Sequence, residues 1–382
     1  MNKSELHNIA NGETTPEAIR HIYLHIPFCA RICPYCAFYK ERADPSQTRR
    51  FCEALLLEVD QHRAQLAIQP ETIFFGGGTP TTLTVGQLEL FLRGFRDRLD
   101  LSKVIEWTVE ANPGSVSSRK AATLHQGGMN RISLGVQSWD DQLLRGLGRE
   151  HNAAQAETSF QIFRDAGFAN ISVDLMFGIP GQTVEHWTAS LEKTISLRPE
   201  HVSCYCLTYE EDTEFFRRES RGELRADPEA DAEFFTTAFE ILEGAGYLQY
   251  EISNYARPGY SSVHNQSYWA GDNYLGVGPS AFSTIDLRRW QNVCDYRAYA
   301  DALFSGRSIV GSIEALTREM KRGERIALSL RTRDGAPAGL IEGKSKEIRE
   351  FARLGLMRES DGNLLLTPAG RLLADTVAEA FI

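Results

Sequence analysis

Residues 25–40 read HIPFCARICPYCAFYK, and three cysteines, Cys29, Cys33 and Cys36, fall within eight of these positions. Two places beyond the last stands Phe38. Thiolates are soft donors that suit zinc or iron-sulfur centres, and C-x3-C-x2-C puts three of them on one loop short enough to wrap a single centre. A metal site built only from protein takes four ligands, so the reading turns on what completes this one. Zinc would recruit His25 or Cys52 as its fourth ligand. A four-iron cubane held by three cysteines would instead leave one iron open to an exogenous molecule. The spacing departs from the paired C-x2-C of ordinary zinc motifs, and Cys52 sits among helix-face apolar residues, where a thiol is commonly packed. On the residues alone both centres stay open.

The cysteines follow a short apolar run, and the pattern repeats outward from it. IYLHIP (22–27), TIFFGGG (72–78), VIEWTVEA (104–111), RISLGVQ (131–137), ISVDLMFGIPG (171–181) and HVSCYCLT (201–208) read as strands closed by Gly, Pro or a polar residue. Between them FCEALLLEVDQHRAQL (51–66), VGQLELFLRGFRDRL (85–99), AAQAETSFQIFRDAG (153–167) and VEHWTASLEKTISL (184–197) space their apolar residues as core-facing helices do. Six strand-helix repeats predict an α/β fold on a parallel sheet, either open or curled into a barrel. Both forms bind ligands at the carboxyl ends of the strands, where the cysteines, GGGTP (76–80) and GIPGQ (178–182) all lie.

The expected organisation is a tail over 1–18, the repeats over 19–246, an α+β subdomain over 247–310 and a winged-helix-like end over 311–382. The last rests on helices around 313–330 and 346–354 and on a hairpin, LMRESDGNLLLT, turning at Asp361-Gly362. Winged helices often bind DNA, but KSKEIREFAR mixes Lys344, Lys346, Arg349 and Arg353 with Glu347 and Glu350, the pattern of a solvated face. Across all 382 residues, 41 Lys and Arg against 51 Asp and Glu give a net charge of −10, which argues against a nucleic-acid surface spread over the molecule. Seven cysteines, odd in number and clustered at the front, suit a reducing compartment, so the expected location is the cytoplasm. No stretch reads as a signal peptide or a membrane span.

The cysteine spacing, with an aromatic before the third cysteine, resembles that of the radical S-adenosylmethionine superfamily. That resemblance implies a [4Fe-4S] cluster on Cys29, Cys33 and Cys36, whose open iron takes the amino and carboxylate groups of S-adenosylmethionine. It also implies cofactor contacts from Tyr23 in YLHIPFC and from Gly77, Gly78 and Thr79 in GGGTP, with GIPGQ near adenine. Several polar residues at strand ends fit the same ligand. Glu110 can accept from ribose hydroxyls, and Gln137 and Arg149 can hold a carboxylate. Asp174 lies in an apolar strand where an unpaired carboxylate is costly, and a ligand hydroxyl or Arg149 would relieve that cost.

At a finer level YLHIPFC, GGGTP, LGVQS, LGREH, VDLMFGIPGQT, LTYEEDT, GYLQYEISNYA, HNQSYW and YLGVGPSAF, from residue 21 to about 285, resemble the oxygen-independent coproporphyrinogen oxidase-like family. The heme-chaperone branch is the nearer one, because the oxidases carry a fourth cysteine where Phe38 stands and a longer extension before the first strand. This resemblance implies a partial six-stranded (β/α) barrel open on one side. It also implies a heme-associated HNxxYW motif at His264, Asn265, Tyr268 and Trp269, although Phe282 replaces a histidine usual in relatives. Three functions stay open. One is a heme carrier with an acceptor and an electron donor, one an oxidase or other radical enzyme acting on a tetrapyrrole, and one a zinc-stabilised scaffold with a winged-helix partner site.

Overall fold

The computed structural model describes residues 18–42, 44–341 and 343–381. The expected tail lies outside them except for Ala18. Six strands carry the repeats: β1 (Ile19–Ile26), β2 (Ile68–Gly77), β3 (Glu106–Ala111), β4 (Arg131–Gln137), β5 (Ile171–Phe177) and β6 (His201–Cys206). They are followed by β7 (Leu248–Glu251), β8 (Asn254–Ala256), β9 (Tyr274–Val277), β10 (Phe282–Ile285), β11 (Arg288–Asn292) and β12 (Val310–Ala315). The chain forms two compact units. The first takes residues up to 135 with 154–169 and 273–315, and the second takes 136–153, 170–272 and 316–382.

In the first unit the strands run in the order β12-β11-β10-β9-β1-β2-β3-β4. From β9 to β4 neighbours are parallel, and β10 to β12 add an antiparallel edge. One face of these parallel strands is apolar, with Ile73, Phe75, Trp107, Val109, Ile132 and Leu134 buried, while the alternate positions carry Thr72, Glu106, Thr108 and Arg131. Phe75 on β2 and Trp107 on β3 pack edge-on at 5.5 Å between ring centroids. Phe91 and Phe95, from the helix Val85–Arg96, close over Phe75 at 5.6 and 5.9 Å. That helix starts where the sequence supplies a capping box, Thr84 and Gln87 satisfying each other's backbone N–H groups.

A buried carboxylate fastens the helix Pro45–Arg63 to the later strands. Glu58 accepts from the Gly278 amide at 2.7 Å, from Asn292 Nδ2 at 2.6 Å and from the Tyr299 hydroxyl, and His62 Nε2 lies 3.3 Å away. A buried charge is tolerable when its lone pairs are met this fully.

In the second unit β5 and β6 are parallel, and β8 and β7 continue antiparallel from β6. The helices Val184–Leu197 and Pro228–Gly244 are joined by a hydrogen bond from Trp187 Nε1 to the Phe234 carbonyl at 2.9 Å. The end of the chain forms the helices Arg318–Leu330 and Ser345–Arg353 and a small sheet, with Ala336–Pro337 beside Asn363–Leu366 and that beside Met357–Ser360. Its hairpin turns at Asp361 (φ 52°) and Gly362 (φ 78°), two left-handed residues as a tight two-residue turn requires. Ile326, Leu330, Met357, Leu366 and Phe381 form the core beneath.

The structure divides the stretch expected as one appended subdomain: 247–272 belongs to the second unit and 273–315 to the first. Tyr274–Val277 pairs in parallel with β1, some 250 residues earlier, a partner no local pattern announces. The helix expected from about Ile313 begins at Arg318, because Val310–Ala315 pairs with β11 and Thr317 caps the helix through the Met320 amide.

Glu58→Gln keeps the shape but replaces an acceptor oxygen by an amide that faces donors. Chemical unfolding should show a loss of about 2 to 4 kcal/mol, the range for a disrupted buried charged hydrogen-bond group. An unchanged midpoint would show that Glu58 is not a fastening point.

Candidate functional site

The three-cysteine loop lies in the first unit and is tied at both ends. Phe28–Cys29 pairs in parallel with Glu41–Arg42, and the Glu41 amide donates to the Pro27 carbonyl at 2.8 Å. The intervening chain, with Cys33 and Cys36, is thereby held as a closed loop beyond the carboxyl end of β1. Within it the Cys36 amide donates to the Cys33 carbonyl at 3.2 Å, and Lys40 donates to the Cys36 carbonyl. All three thiols are partly exposed. Cys29 Sγ lies 3.7 Å from Thr79 Oγ1. Burial pushes the Cys36 thiol pKa up, and the Lys40 ammonium opposes it.

The two residues considered as a fourth zinc ligand are committed elsewhere. His25 Nε2 donates to the Tyr39 carbonyl at 2.9 Å, so its Nδ1 accepts from the Tyr23 hydroxyl at 3.0 Å. Cys52 is fully buried on its helix, and burial pushes its thiol up to about 12. Phe38 is 69% exposed. The loop itself offers three thiolates, a number and type of donor that fit a cubane with one open iron.

GGGTP holds the start of this loop. Gly77 has φ +106°, and a Cβ there would lie 2.5 Å from His25 Cε1. At Gly78 it would lie 2.6 Å from the backbone of Pro27. These glycines therefore make room for β1 and the residues after it. Their backbone completes the joint: Gly78 N–H donates to the Ile26 carbonyl at 2.9 Å and Thr79 N–H to the Phe28 carbonyl at 2.8 Å. Glu110 accepts from Gly77 N–H at 3.1 Å. Burial, aided by Glu110, raises the Tyr23 pKa well above its ordinary value. Tyr23, the glycines, Thr79, Glu110 and the cysteines are thus neighbours in one unit.

Gln137, Arg149 and Asp174 lie in the second unit. Gln137 ends β4 with φ 69°, which turns the chain sharply at the strand's carboxyl end. His151 Nε2 donates to the Val136 carbonyl at 3.0 Å and so ties the segment bearing Arg149 to the residue before Gln137. His151 is buried, and that burial together with Arg149 lowers its pKa to about 4. Its role escaped the sequence reading, although LGREH contains it. Asp174 accepts from two serines that the sequence did not announce, Ser172 and Ser203 each donating to Oδ1 at 2.8 Å. The chain continues outward. With its own proton given to Asp174, Ser172 accepts from His201 Nδ1 at 2.8 Å, His201 Nε2 accepts from the Tyr250 hydroxyl at 2.8 Å, and that oxygen lies 3.3 Å from the Ser262 amide, which donates to it.

Ser262 caps the helix Val263–Ala270, which carries HNQSYW, by accepting from the Asn265 amide. His264 is not presented to a ligand as expected. It is fully buried, with Nε2 3.1 Å from the Tyr268 hydroxyl and the two rings edge to face at 4.8 Å. Trp269 is different, for it lines a cleft of about 610 Å³ together with Gln266 and residues of the chain's end.

A family model described as the Radical SAM superfamily matches residues 23–194. The chain is 36% identical over 380 residues to the heme chaperone HemW of Bacillus subtilis, covering 95% of this chain and 99% of that one. It is 32% identical over 371 residues to the Escherichia coli heme chaperone HemW, covering 94% and 97%. Among solved structures it resembles the Escherichia coli coproporphyrinogen III oxidase HemN, a radical SAM enzyme, with a TM-score of 0.84 at 22% identity over 100% of this chain and 93% of that one. That likeness gives the radical SAM α/β fold.

Gly78→Ala should undock the cysteine loop, so that anaerobic reconstitution incorporates much less iron, whereas Gly86→Ala, with open space about it, should incorporate iron normally. Equal iron in both proteins would contradict the joint. A pH effect follows from the histidines. Burial lowers the folded-state pKa of both His25 and His151 to about 4. Their contribution is therefore present above the ordinary histidine range near 6.5 and is lost as pH falls from there toward 4. Unfolding midpoints should show a loss on the order of 2 kcal/mol per ring between about pH 7 and pH 5. A flat profile would oppose this.

Proposed function

Because the chain belongs to the heme chaperone HemW family of radical SAM proteins, we propose that it binds heme and passes it to an acceptor protein. The observation that carries this reading is the near full-length identity to the Bacillus subtilis heme chaperone. The likeness to the oxidase concerns the fold and gives no matching support for its activity.

In this proposal Cys29, Cys33 and Cys36 hold a [4Fe-4S] cluster, and S-adenosylmethionine takes the remaining iron. When bound, these groups supply one-electron chemistry, for which an electron donor is required. The chain's own residues supply position. Gly77, Gly78 and Thr79, whose amides are bonded to Glu110 and to the Ile26 and Phe28 carbonyls, border the methionine end, Tyr23 lies beneath it through its bond to His25, and Glu110 accepts from ribose. In the second unit Gln137 and Arg149 hold a carboxylate, and Asp174 accepts from a cofactor hydroxyl while the serines fix its orientation. Heme docks on the HNQSYW helix. With His264 buried against Tyr268, the exposed edge of that helix is led by Trp269, and ligation of iron by His264 would require exchanging the Tyr268 bond.

Two measurements test this. Hemin titration of the reconstituted protein should show saturable binding, and anaerobic incubation with coproporphyrinogen, reductant and S-adenosylmethionine should leave the porphyrinogen unchanged. Catalytic formation of protoporphyrinogen would overturn the carrier reading. Arg149→Ala should weaken S-adenosylmethionine binding by about 1.5 to 3 kcal/mol, the worth of a hydrogen bond to a charged group, with iron content unaltered. Unchanged affinity would remove Arg149 from the site.

A further inference from the structure

Within the second unit the hairpin of β7 and β8 carries the attachment of the chain's end. Glu251 bridges Thr332 through the backbone, the Arg333 amide donates to the Tyr250 carbonyl at 2.9 Å, and Arg371 donates to Gln249 Oε1. At the turn of the hairpin Ile252 packs against the core of Ile326, Leu330 and Met357.

A buried carboxyl sits in this joint. Glu251 Oε2 accepts from the Ser253 amide at 3.1 Å, and Oε1 accepts from Asn254 Nδ2. The charged groups packed around it are engaged elsewhere: Arg371 with Gln249, and Arg333 with Glu243 at 4.0 Å, whose Oε1 also accepts from the Gln249 amide at 2.8 Å. Tyr255 on β8 and Cys204 on β6 are held neutral, because burial raises both well above their ordinary values. Tyr250, bonded to His201, points to the opposite face of β7. Among the described residues no cation pairs with Glu251, and Asn254 Oδ1 is buried without a donor. Burial of a carboxyl with no cation favours its neutral form, and here it pushes the Glu251 pKa up to about 7 against the opposing pull of the Ser253 amide and Asn254. The acid form brings a hydroxyl hydrogen to a place where Asn254 Oδ1 lacks one. The ionised form leaves a buried charge held by neutral donors alone.

We propose that Glu251 is a proton-responsive latch, which in its acid form holds the C-terminal region to the β7–β8 hairpin and on losing its proton loosens that joint. The sign follows from the two states of the joint. Opened to water, the carboxyl titrates in the ordinary glutamate range near 4.3, whereas closed it keeps its proton to about 7. The hold is therefore complete at acid pH, weakens as pH rises between these values, and is weakest above neutrality. The latch is independent of the heme-carrier reading and of the cluster.

Amide hydrogen exchange of the full-length protein, referred to the intrinsic rate at each pH, tests the latch. In wild type, opening of the peptides that carry 249–256 and 331–337 should be about tenfold or more frequent at about pH 7.5 than at about pH 5.5. Glu251→Gln keeps the shape, stays neutral and supplies a donor for Asn254, so its opening should be as rare at the higher pH as at the lower. The helix Val85–Arg96 should exchange alike in both proteins. Equal pH dependence in wild type and variant, or more frequent opening at the lower pH, would overturn the latch. A second measurement needs no variant: carbon-13 NMR of glutamate-labelled wild type should show a carboxyl that titrates near neutral pH, and its absence would overturn the proposal even if Glu251→Gln failed to fold.

Discussion

The close approach of Gly77 and Gly78 to His25 and Pro27 is the constraint on which the candidate site depends. A Cβ at either glycine would fall within 2.6 Å of the nearest neighbouring atoms, so only an absent side chain permits the contact. The contact brings the end of β2 against the end of β1, where Gly78 and Thr79 bond to the backbone on either side of Pro27. The cysteine loop begins at that joint and returns to it at Glu41. Loops at the carboxyl ends of parallel strands are where function is usually built, and here the donors gain their order from two strands rather than from the loop itself.

The second unit solves a related problem with side chains. Asp174 is buried in β5, a strand with no exposed residue, where a carboxylate would be expensive without donors. Ser172 and Ser203 supply them, and His201, Tyr250 and the Ser262 amide extend the series to the cap of the HNQSYW helix. A fully connected polar network of this kind rigidifies its surroundings. The same Tyr250 lines the cleft beside Trp269, so the residues that settle a buried charge also set one of its walls.

Much of this was legible along the chain. Arg131–Gln137 and Val184–Leu197 form where their periodicity predicts, and the strand-end position of GGGTP is as read, because these features depend on neighbours in sequence. Long-range pairing was not legible. Tyr274–Val277 looks like part of a separate subdomain until it is seen beside β1, and Val310–Ala315 prefers β11 to the helix its neighbours enter. The site shows the same limit. The residue types at Cys29, Cys33, Cys36 and Glu110 announced chemistry, but that His264 turns inward and that His151 braces Val136 depends on three-dimensional packing.

Three thiolates on an anchored loop would leave one iron of a cubane to an exogenous molecule. Mössbauer spectroscopy of the anaerobically reconstituted iron-57 protein, before and after adding S-adenosylmethionine, tests it most directly. A cluster with a unique iron whose parameters alone shift when the cofactor is added is the expected result. Iron sites that stay unchanged on addition, or a single-iron thiolate spectrum, would contradict it.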